Sequence, residues 1–123
     1  MIDRLETDFM KDELYLLRPG FYNVGVGPLY CGDSLPVEGL LSFFPQLRTL
    51  LEVHYLEFPR PRAKLVDALG EENQGIPVLI LADEREIADE EITPKEANGK
   101  RFFADERSIR RYLSAQYSLP EAG

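Results

Sequence analysis

The stretch "YCGDSLPVEGLLSFFPQL" (residues 30–47) marks a change from loop to helix and holds the only cysteine of the chain, Cys31. Apolar residues recur in it at helical spacing, at Val37, Leu40, Leu41 and Phe44. Asp33 and Ser34 are favourable N-cap residues, and Pro36 is tolerated only in the first turn of a helix. A helix is therefore predicted to begin just after Cys31.

Outward from this helix, the sequence predicts strands separated by helices. Apolar runs predict four strands: "ELYLL" (13–17), "LLEVHYLEF" (50–58), "PVLIL" (77–81) and "RFFA" (101–104). Two more helices are predicted at "AKLVDALG" (63–70), closed by Gly70, and at 106–117, where Asp105 is the N-cap. "RPGFYNVGVGPL" (18–29) is rich in Gly and Pro and predicts a loop.

The order of these elements predicts the fold class. Alternation of strand and helix in the first half predicts parallel strands with right-handed crossovers, and the third and fourth strands should pair antiparallel. "PVLIL" is apolar on both faces and should be central. We expect a mixed four-stranded α/β sheet with helices on both faces. It should form a single domain over 13–119, with a flexible lead-in (1–12) and a tail (120–123).

Composition excludes several classes of function. The 123-residue chain carries a formal net charge of −8, which argues against nucleic-acid or anionic-membrane partners. No apolar run approaches the ~20 residues that span a bilayer. The acidic N-terminus is not a signal peptide, so a cytoplasmic location is expected. One cysteine and one histidine exclude an internal disulfide, a cysteine-rich zinc site and a His-rich metal site.

Three stretches give the chain a family resemblance. "YCGDS" stands where thioredoxins and glutaredoxins carry C-x-x-C or C-x-x-S, "GIPV" (75–78) where they carry a cis-proline, and "FFADERSIRRYL" (102–113) at their last strand and helix. Over residues 13–119 the chain resembles a family of small, uncharacterised bacterial thioredoxin-like proteins, related to glutaredoxins and glutathione-transferase N-terminal domains. The resemblance implies a thioredoxin-like fold.

In this resemblance Ser34 replaces the second motif cysteine, so the chain lacks the thiol that intramolecular disulfide exchange requires. A single thiol at a helix N-terminus can still form a mixed disulfide with glutathione, because backbone N–H groups and the helix dipole stabilise a thiolate. Asp33 would oppose that ionisation. The sequence "CGDS" also resembles the C-G-x-S motif of monothiol glutaredoxins, which hold an iron–sulfur cluster between two subunits. The alternative is that Cys31 is a small packing residue.

The resemblance also implies ligand contacts away from Cys31. The Ile76–Pro77 peptide bond should be cis, and the Ile76 backbone could pair with an extended thiol-containing ligand. Asp105 matches the acidic residue that holds the γ-glutamyl amine of glutathione. Glu106 falls where serine is expected, and its charge would disfavour the ligand carboxylate. Asp105 as a plain N-cap is the alternative.

Arginines follow the first two predicted strands at the edge that holds Cys31. Arg18, Arg60 and Arg62 could form a positive rim that attracts a carboxylate or phosphate and helps to ionise the thiol. Alternatively they are solvated and pair with nearby acids. His54 is interpreted as a packed, hydrogen-bonded core residue. The acidic run "DEREIADEE" (83–91) is interpreted as solvated surface, or as a surface for a basic partner.

Three functional classes follow. The first is a monothiol, glutathione-linked redox or thiol-binding protein with its site at Cys31, Ser34 and Pro77. The second is a non-catalytic binding module, with another protein or a second copy of the chain as its partner, and the third is an iron–sulfur carrier. No cofactor other than glutathione is indicated, and the sequence leans away from an enzyme.

Overall fold

Seven strands and four helices form the part of the chain that the structure, a computed structural model, describes, namely residues 10–123. The strands are β1 (Glu13–Leu17), β2 (Phe21–Asn23), β3 (Val26–Leu29), β4 (Glu52–Leu56), β5 (Val78–Ile80), β6 (Lys95–Ala97) and β7 (Lys100–Phe103). The helices are α1 (Ser34–Phe43), α2 (Leu47–Leu50), α3 (Ala63–Leu69) and α4 (Glu106–Gln116). The helices predicted after Cys31, before Gly70 and after Asp105 are confirmed.

Five strands form one mixed sheet in the order β4-β1-β5-β7-β6. β1 and β4 are parallel, with Tyr15 opposite His54, and β5 pairs antiparallel with β7; both pairings were predicted. The central place of β5 is also confirmed, and its three residues are all buried. The prediction was wrong in two respects: β5 runs antiparallel to β1, and the sheet has a fifth strand, β6, paired with β7.

Two apolar cores cover the two faces of the sheet, so helices on both faces are confirmed. On one face α1 and α4 contribute Val37, Leu41, Ile109 and Tyr112, which are each 0% exposed. On the other face Leu65 and Leu69 of α3 pack on Tyr15, Val78 and Phe102. Alternate residues of β1 and β5 point into opposite cores, because successive side chains of a strand face opposite sides. Both faces of these strands are therefore buried.

The segment predicted as a loop, residues 18–29, is a β-hairpin. β2 and β3 pair antiparallel in a two-stranded sheet of their own. Val24 and Gly25 make the turn with positive φ angles of 49° and 77°, which are typical of the tight turns that join hairpin strands. Of the Gly and Pro residues that indicated a loop, Gly25 lies in the turn and Gly27 and Pro28 lie in β3, while Pro19 and Gly20 form the bend before β2.

The predicted flexible lead-in (1–12) lies mostly outside the described residues, but its last residue is buried. The Asp12 carboxylate accepts hydrogen bonds from the Ala82 N–H (2.8 Å), from Arg85 Nε (3.2 Å) and from the hydroxyl groups of Tyr112 and Tyr117. Asp12 is 0% exposed. It joins β1 to α4 and to the segment after β5, so the prediction of a loose polar segment is wrong at this residue.

Candidate functional site

Cys31 lies in the short connection between β3 and α1 and is partly buried. Its Sγ accepts a hydrogen bond from the backbone N–H of Ser34 at 3.3 Å, and its carbonyl accepts one from the Leu35 N–H at 3.2 Å. The thiol therefore faces an N–H group of the first turn of α1. Such an N–H group stabilises a thiolate more than a thiol, because it donates to the charged form.

The segment before β5 lies against this thiol. Sγ of Cys31 is 4.0 Å from the carbonyl oxygen of Ile76, and the Ile76–Pro77 peptide bond is cis. This confirms the predicted cis bond at this position. The structure also has cis bonds at Gly27–Pro28 and Arg60–Pro61. Cys31, Ile76 and Pro77 are thus brought together, as the sequence predicted.

The hydroxyl group of Ser34 makes a structural hydrogen bond to the backbone. It is 5% exposed, and its Oγ accepts a hydrogen bond from the Leu17 N–H at 3.2 Å. Leu17 ends β1, so the Ser34 hydrogen bond joins the end of β1 to the start of α1. The expected N-cap Asp33 occupies the N-cap position of α1, but its side chain makes no capping hydrogen bond.

Arg62 departs most from the expected positive rim. It is only 9% exposed, and its guanidinium donates to the Phe58 carbonyl through Nε (3.1 Å) and Nη2 (2.6 Å) and to the Gln74 carbonyl through Nη1 (2.7 Å). Its own backbone N–H donates to Oε1 of Gln74 at 2.7 Å. Burial, followed by the charge of Arg60, lowers the pKa of Arg62, while Cys31 acts in the opposite direction. Arg62 therefore links the Phe58 and Gln74 backbones inside the protein, and the expectation that it is a rim residue is wrong.

The other two arginines stay at the surface. Nε of Arg18 pairs with the Glu57 carboxylate at 2.8 Å, and both side chains are more than half exposed. Arg18 therefore fits the alternative interpretation, a solvated arginine that pairs with a nearby acid. Arg60 is exposed. Screened surface charges of this kind attract anions weakly. The rim is therefore two exposed arginines beside one buried arginine.

Two stacked aromatic rings lie next to the Arg62 side chain. The rings of Phe21, on the hairpin, and Phe58 are parallel, with centroids 4.5 Å apart. The guanidinium carbon of Arg62 lies 5.7 Å from the centroid of the Phe58 ring. The stack fixes the hairpin against the segment that follows β4. Tyr30, beside Cys31 in sequence, is 62% exposed.

At the start of α4, Asp105 and Glu106 make contacts within their own helix. Asp105 accepts a hydrogen bond from the Ser108 N–H at 2.9 Å and is an N-cap, as the alternative interpretation held. Glu106 pairs with Arg110 at 2.6 Å one turn further on. Neither contact indicates a ligand, and the expected glutathione contact of Asp105 remains a prediction.

His54 is packed as predicted, but the prediction that its ring is hydrogen-bonded is wrong for Nε2. Its ring stacks on Tyr15 with centroids 4.7 Å apart. Nδ1 lies 3.5 Å from Nζ of Lys64, and Nε2 is buried without a hydrogen-bond partner among the described residues. This arrangement is on the α3 side of the sheet and involves no contact with Cys31.

Sequence reasoning missed Gln74, which is 8% exposed and holds the segment before the cis peptide bond. Besides its two contacts with Arg62, its Nε2 donates to the Glu71 carbonyl at 2.9 Å. Gln74 stands in the polar connection "LGEENQGIPV" between a helix and a buried strand, and such a position does not indicate burial. Its partner is twelve residues away, so no local periodicity could have indicated it.

Within residues 10–123, no helix has the length and apolar character needed to cross a membrane, and no group of three or more His, Cys, Asp or Glu side chains could hold a metal ion. The searches of curated proteins and of solved structures found no match. The model of one family, described as "Protein of unknown function (DUF3088)", matches residues 11–121. That match covers nearly the whole chain, which therefore belongs to this family.

Proposed function

We propose that this chain is a thioredoxin-like protein that lacks dithiol exchange and uses Cys31 as a single thiol toward glutathione or a similar small thiol. The observation that carries the proposal is the position of Sγ, 4.0 Å from the Ile76 carbonyl beside the cis-proline and 3.3 Å from the Ser34 N–H. The strand order β4-β1-β5-β7, with helices on both faces, supports the fold assignment.

The proposed chemistry is thiol–disulfide exchange with an external disulfide such as glutathione disulfide. The Cys31 thiolate attacks one sulfur of the glutathione disulfide, whose S–S bond breaks as a Cys31–glutathione disulfide forms. The other glutathione leaves as a thiolate and takes up a proton from water. A second thiol molecule must resolve the mixed disulfide, because residue 34 is a serine whose hydroxyl accepts the Leu17 N–H. A reducing cytoplasm would supply that thiol.

The ligand backbone would bind along the segment that ends in the cis peptide bond. Ile76 lies before the first residue of β5, so its backbone groups are outside the β1–β5 and β5–β7 ladders. An extended ligand could pair there while its sulfur reaches Cys31. Of the arginines, Arg18 and Arg60 are exposed and could meet a ligand carboxylate, Arg18 only by leaving its pair with Glu57.

A second candidate function, a non-catalytic binding module, is favoured by exposed apolar side chains near the site. Tyr30 and Leu35 flank Cys31 in sequence and are 62% and 55% exposed, and Tyr22, Val24 and Val26 of the hairpin are 61% to 95% exposed. One contiguous patch of such side chains would mark an interaction surface. The partner would be another protein or a second copy of the chain. An iron–sulfur carrier is the third and least supported alternative.

The test is glutathionylation of the full chain. The protein is incubated with glutathione disulfide at pH 7, and its intact mass is followed over time for the native chain, for the same chain in urea and for Cys31→Ser. The proposal expects one glutathionyl group on Cys31, added faster to the folded than to the unfolded chain, and none on Cys31→Ser. Slower reaction in the folded chain would refute it and favour the binding module.

A further inference from the structure

A groove of about 990 Å³ lies between α1 and α4, and neither Cys31 nor Pro77 lines it. On the α1 side its lining includes Gly39, Leu40 and Phe43. On the α4 side it is lined by three arginines, at positions 107, 110 and 111. The groove is therefore apolar along one helix and carries guanidinium groups along the other.

Phe43, the last residue of α1, protrudes at the edge of this groove. It is 81% exposed, more than any other Phe or Tyr among residues 10–123. Its ring is tilted against that of Phe44, with centroids 6.5 Å apart, so the neighbouring ring does not cover it. Moving so large an apolar surface out of water is favourable. Phe43 is therefore an apolar side chain that the fold itself leaves uncovered.

Gly39, which lines the same groove, lies inside α1, where a glycine destabilises a helix relative to alanine. The packing of residues 10–123 does not require a glycine there, because a Cβ built on Gly39 would meet no other part of the chain within 4 Å. Its φ angle lies outside the left-handed region, so the backbone would accept alanine as well. A glycine of this kind is typical of a place where another group approaches the backbone closely.

Gly39 and Phe43 are four residues apart and therefore share one face of α1. Suppose that two copies of α1 lie antiparallel across a twofold axis that passes between these positions. Phe43 of each copy then lies over Gly39 of the other, because a twofold axis makes every contact occur twice with the roles exchanged. We infer that this face of α1 is a homodimer interface, in which Phe43 of each copy packs on Gly39 and fills the groove of the second copy.

The charges along the groove favour an aromatic ring over an acidic segment of another protein. Arg110 pairs with Glu106 at 2.6 Å and Arg111 with Asp89 at 2.5 Å, so two of the three guanidinium groups already have a carboxylate. Among the described residues, Arg107 alone of the three has no carboxylate within ion-pair distance. An arginine in this position can lie on the face of an incoming phenyl ring.

The experiment is analytical ultracentrifugation of the full chain from about 5 to about 500 µM, with a reductant present so that no Cys31 disulfide links two copies. A small interface of this kind predicts a dimer with a dissociation constant on the order of 10–100 µM. Phe43→Ser should raise that constant at least about tenfold, because the substitution removes two contacts from each dimer. The matched control is Tyr22→Ser, an aromatic that is 61% exposed on the hairpin, and it should change the constant less than about twofold.

Gly39 gives a test that separates the interface from the fold. Gly39→Ala should raise the urea midpoint of the dilute, monomeric chain, because alanine favours the helix and its methyl group meets open space. The same variant should dimerise more weakly, by about threefold or more, and Gly39→Leu should be monomeric throughout. A more stable fold together with a weaker dimer is a result that general damage to the structure cannot give.

Salt distinguishes an apolar contact from pairing of charges. Each copy has a formal net charge of −8, so the two copies repel one another and salt screens that repulsion. The dissociation constant should therefore be no higher in about 500 mM than in about 50 mM NaCl.

Three results would overturn the inference. The first is a native chain that stays monomeric over the whole range, which would leave the groove to another protein. The second is a dimer that Phe43→Ser and Gly39→Leu do not weaken, or that Tyr22→Ser weakens as much. The third is a dimer that dissociates in salt. The interface does not require Cys31 to react, so these results are independent of the glutathionylation test.

Discussion

Replacement of Asp12 by alanine should destabilise the fold more than any change to a surface charge. The carboxylate is 0% exposed and accepts four hydrogen bonds, from the Ala82 N–H, Arg85, Tyr112 and Tyr117. In Asp12→Ala the side chain of Arg85, which is 25% exposed, loses its counter-charge, and the Tyr112 hydroxyl is left buried without an acceptor.

The expected loss in the free energy of unfolding follows from the Arg85 charge and the Tyr112 hydroxyl that Asp12→Ala leaves without a partner. Removal of one partner of a buried ion pair typically costs about 3–5 kcal/mol. A domain of this size is stable by roughly 5–15 kcal/mol, so the loss is a large fraction of the total. Asp12→Asn should cost less than Asp12→Ala, because the amide oxygen still accepts hydrogen bonds. Part of the loss remains, because the amide NH2 group cannot accept from the tyrosine hydroxyls.

The assay is urea unfolding at pH 7, followed by far-ultraviolet circular dichroism. The matched control is Asp83→Ala, an acid that is 59% exposed and pairs with Lys100 at 3.4 Å. It should change the free energy of unfolding by less than about 1 kcal/mol. If Asp12→Ala proves no more costly than Asp83→Ala, the buried network does not stabilise the fold and the reasoning fails. Asp12→Asn gives the comparison if the alanine variant does not fold.

Two further predictions concern α4 and the buried tyrosines. Asp105→Ala should lower the free energy of unfolding by about 1 kcal/mol, because the Ser108 N–H loses its capping acceptor. Glu106→Gln weakens only the pair with Arg110 within the helix and should cost about 0.3–0.5 kcal/mol. Equal losses for the two variants in urea unfolding would contradict the capping role of Asp105. Burial, and next the negative charge of Asp12, raise the pKa of Tyr112 and Tyr117 above the ordinary value near 10. Because these pKa values are higher in the folded chain than in the unfolded one, their stabilising contribution is complete below pH ~10 and falls as the pH rises above it. The urea midpoint should therefore drop from pH 9 to 11, and less so in Tyr117→Phe; a midpoint with the same pH slope in both chains would refute this.

The sequence predicted those parts of the fold that depend on local pattern. Continuous apolar runs identified β1 and β5, because strands buried on both faces leave no polar alternation. The helix after Cys31 followed from apolar spacing and from Pro36 in the first turn. The loop prediction for 18–29 is wrong, because Gly25 and Pro28 indicate a loop, yet glycine also favours the positive φ of the tight turn in a hairpin.

Charged residues were the harder part of the prediction, because their partners lie far away in sequence. Asp12 meets Tyr112 across a hundred residues, and Arg62 meets Gln74 across twelve. The acidic run 83–91 was interpreted as solvated, yet Arg85 reaches Asp12, and Asp89 accepts from Arg111 at 2.5 Å. At the candidate site, the sequence placed Cys31 beside a cis-proline correctly but gave no sign that Arg62 is buried.

The most direct test of the central claim, that Cys31 is a working monothiol, is its alkylation by iodoacetamide from pH 4 to 10 with and without reduced glutathione. The account predicts a pH–rate midpoint lower in the folded chain than in the same chain in urea, and slower alkylation when glutathione is present. A thiol that is inert in the folded chain, or that has the same midpoint in both states and no response to glutathione, would contradict the claim.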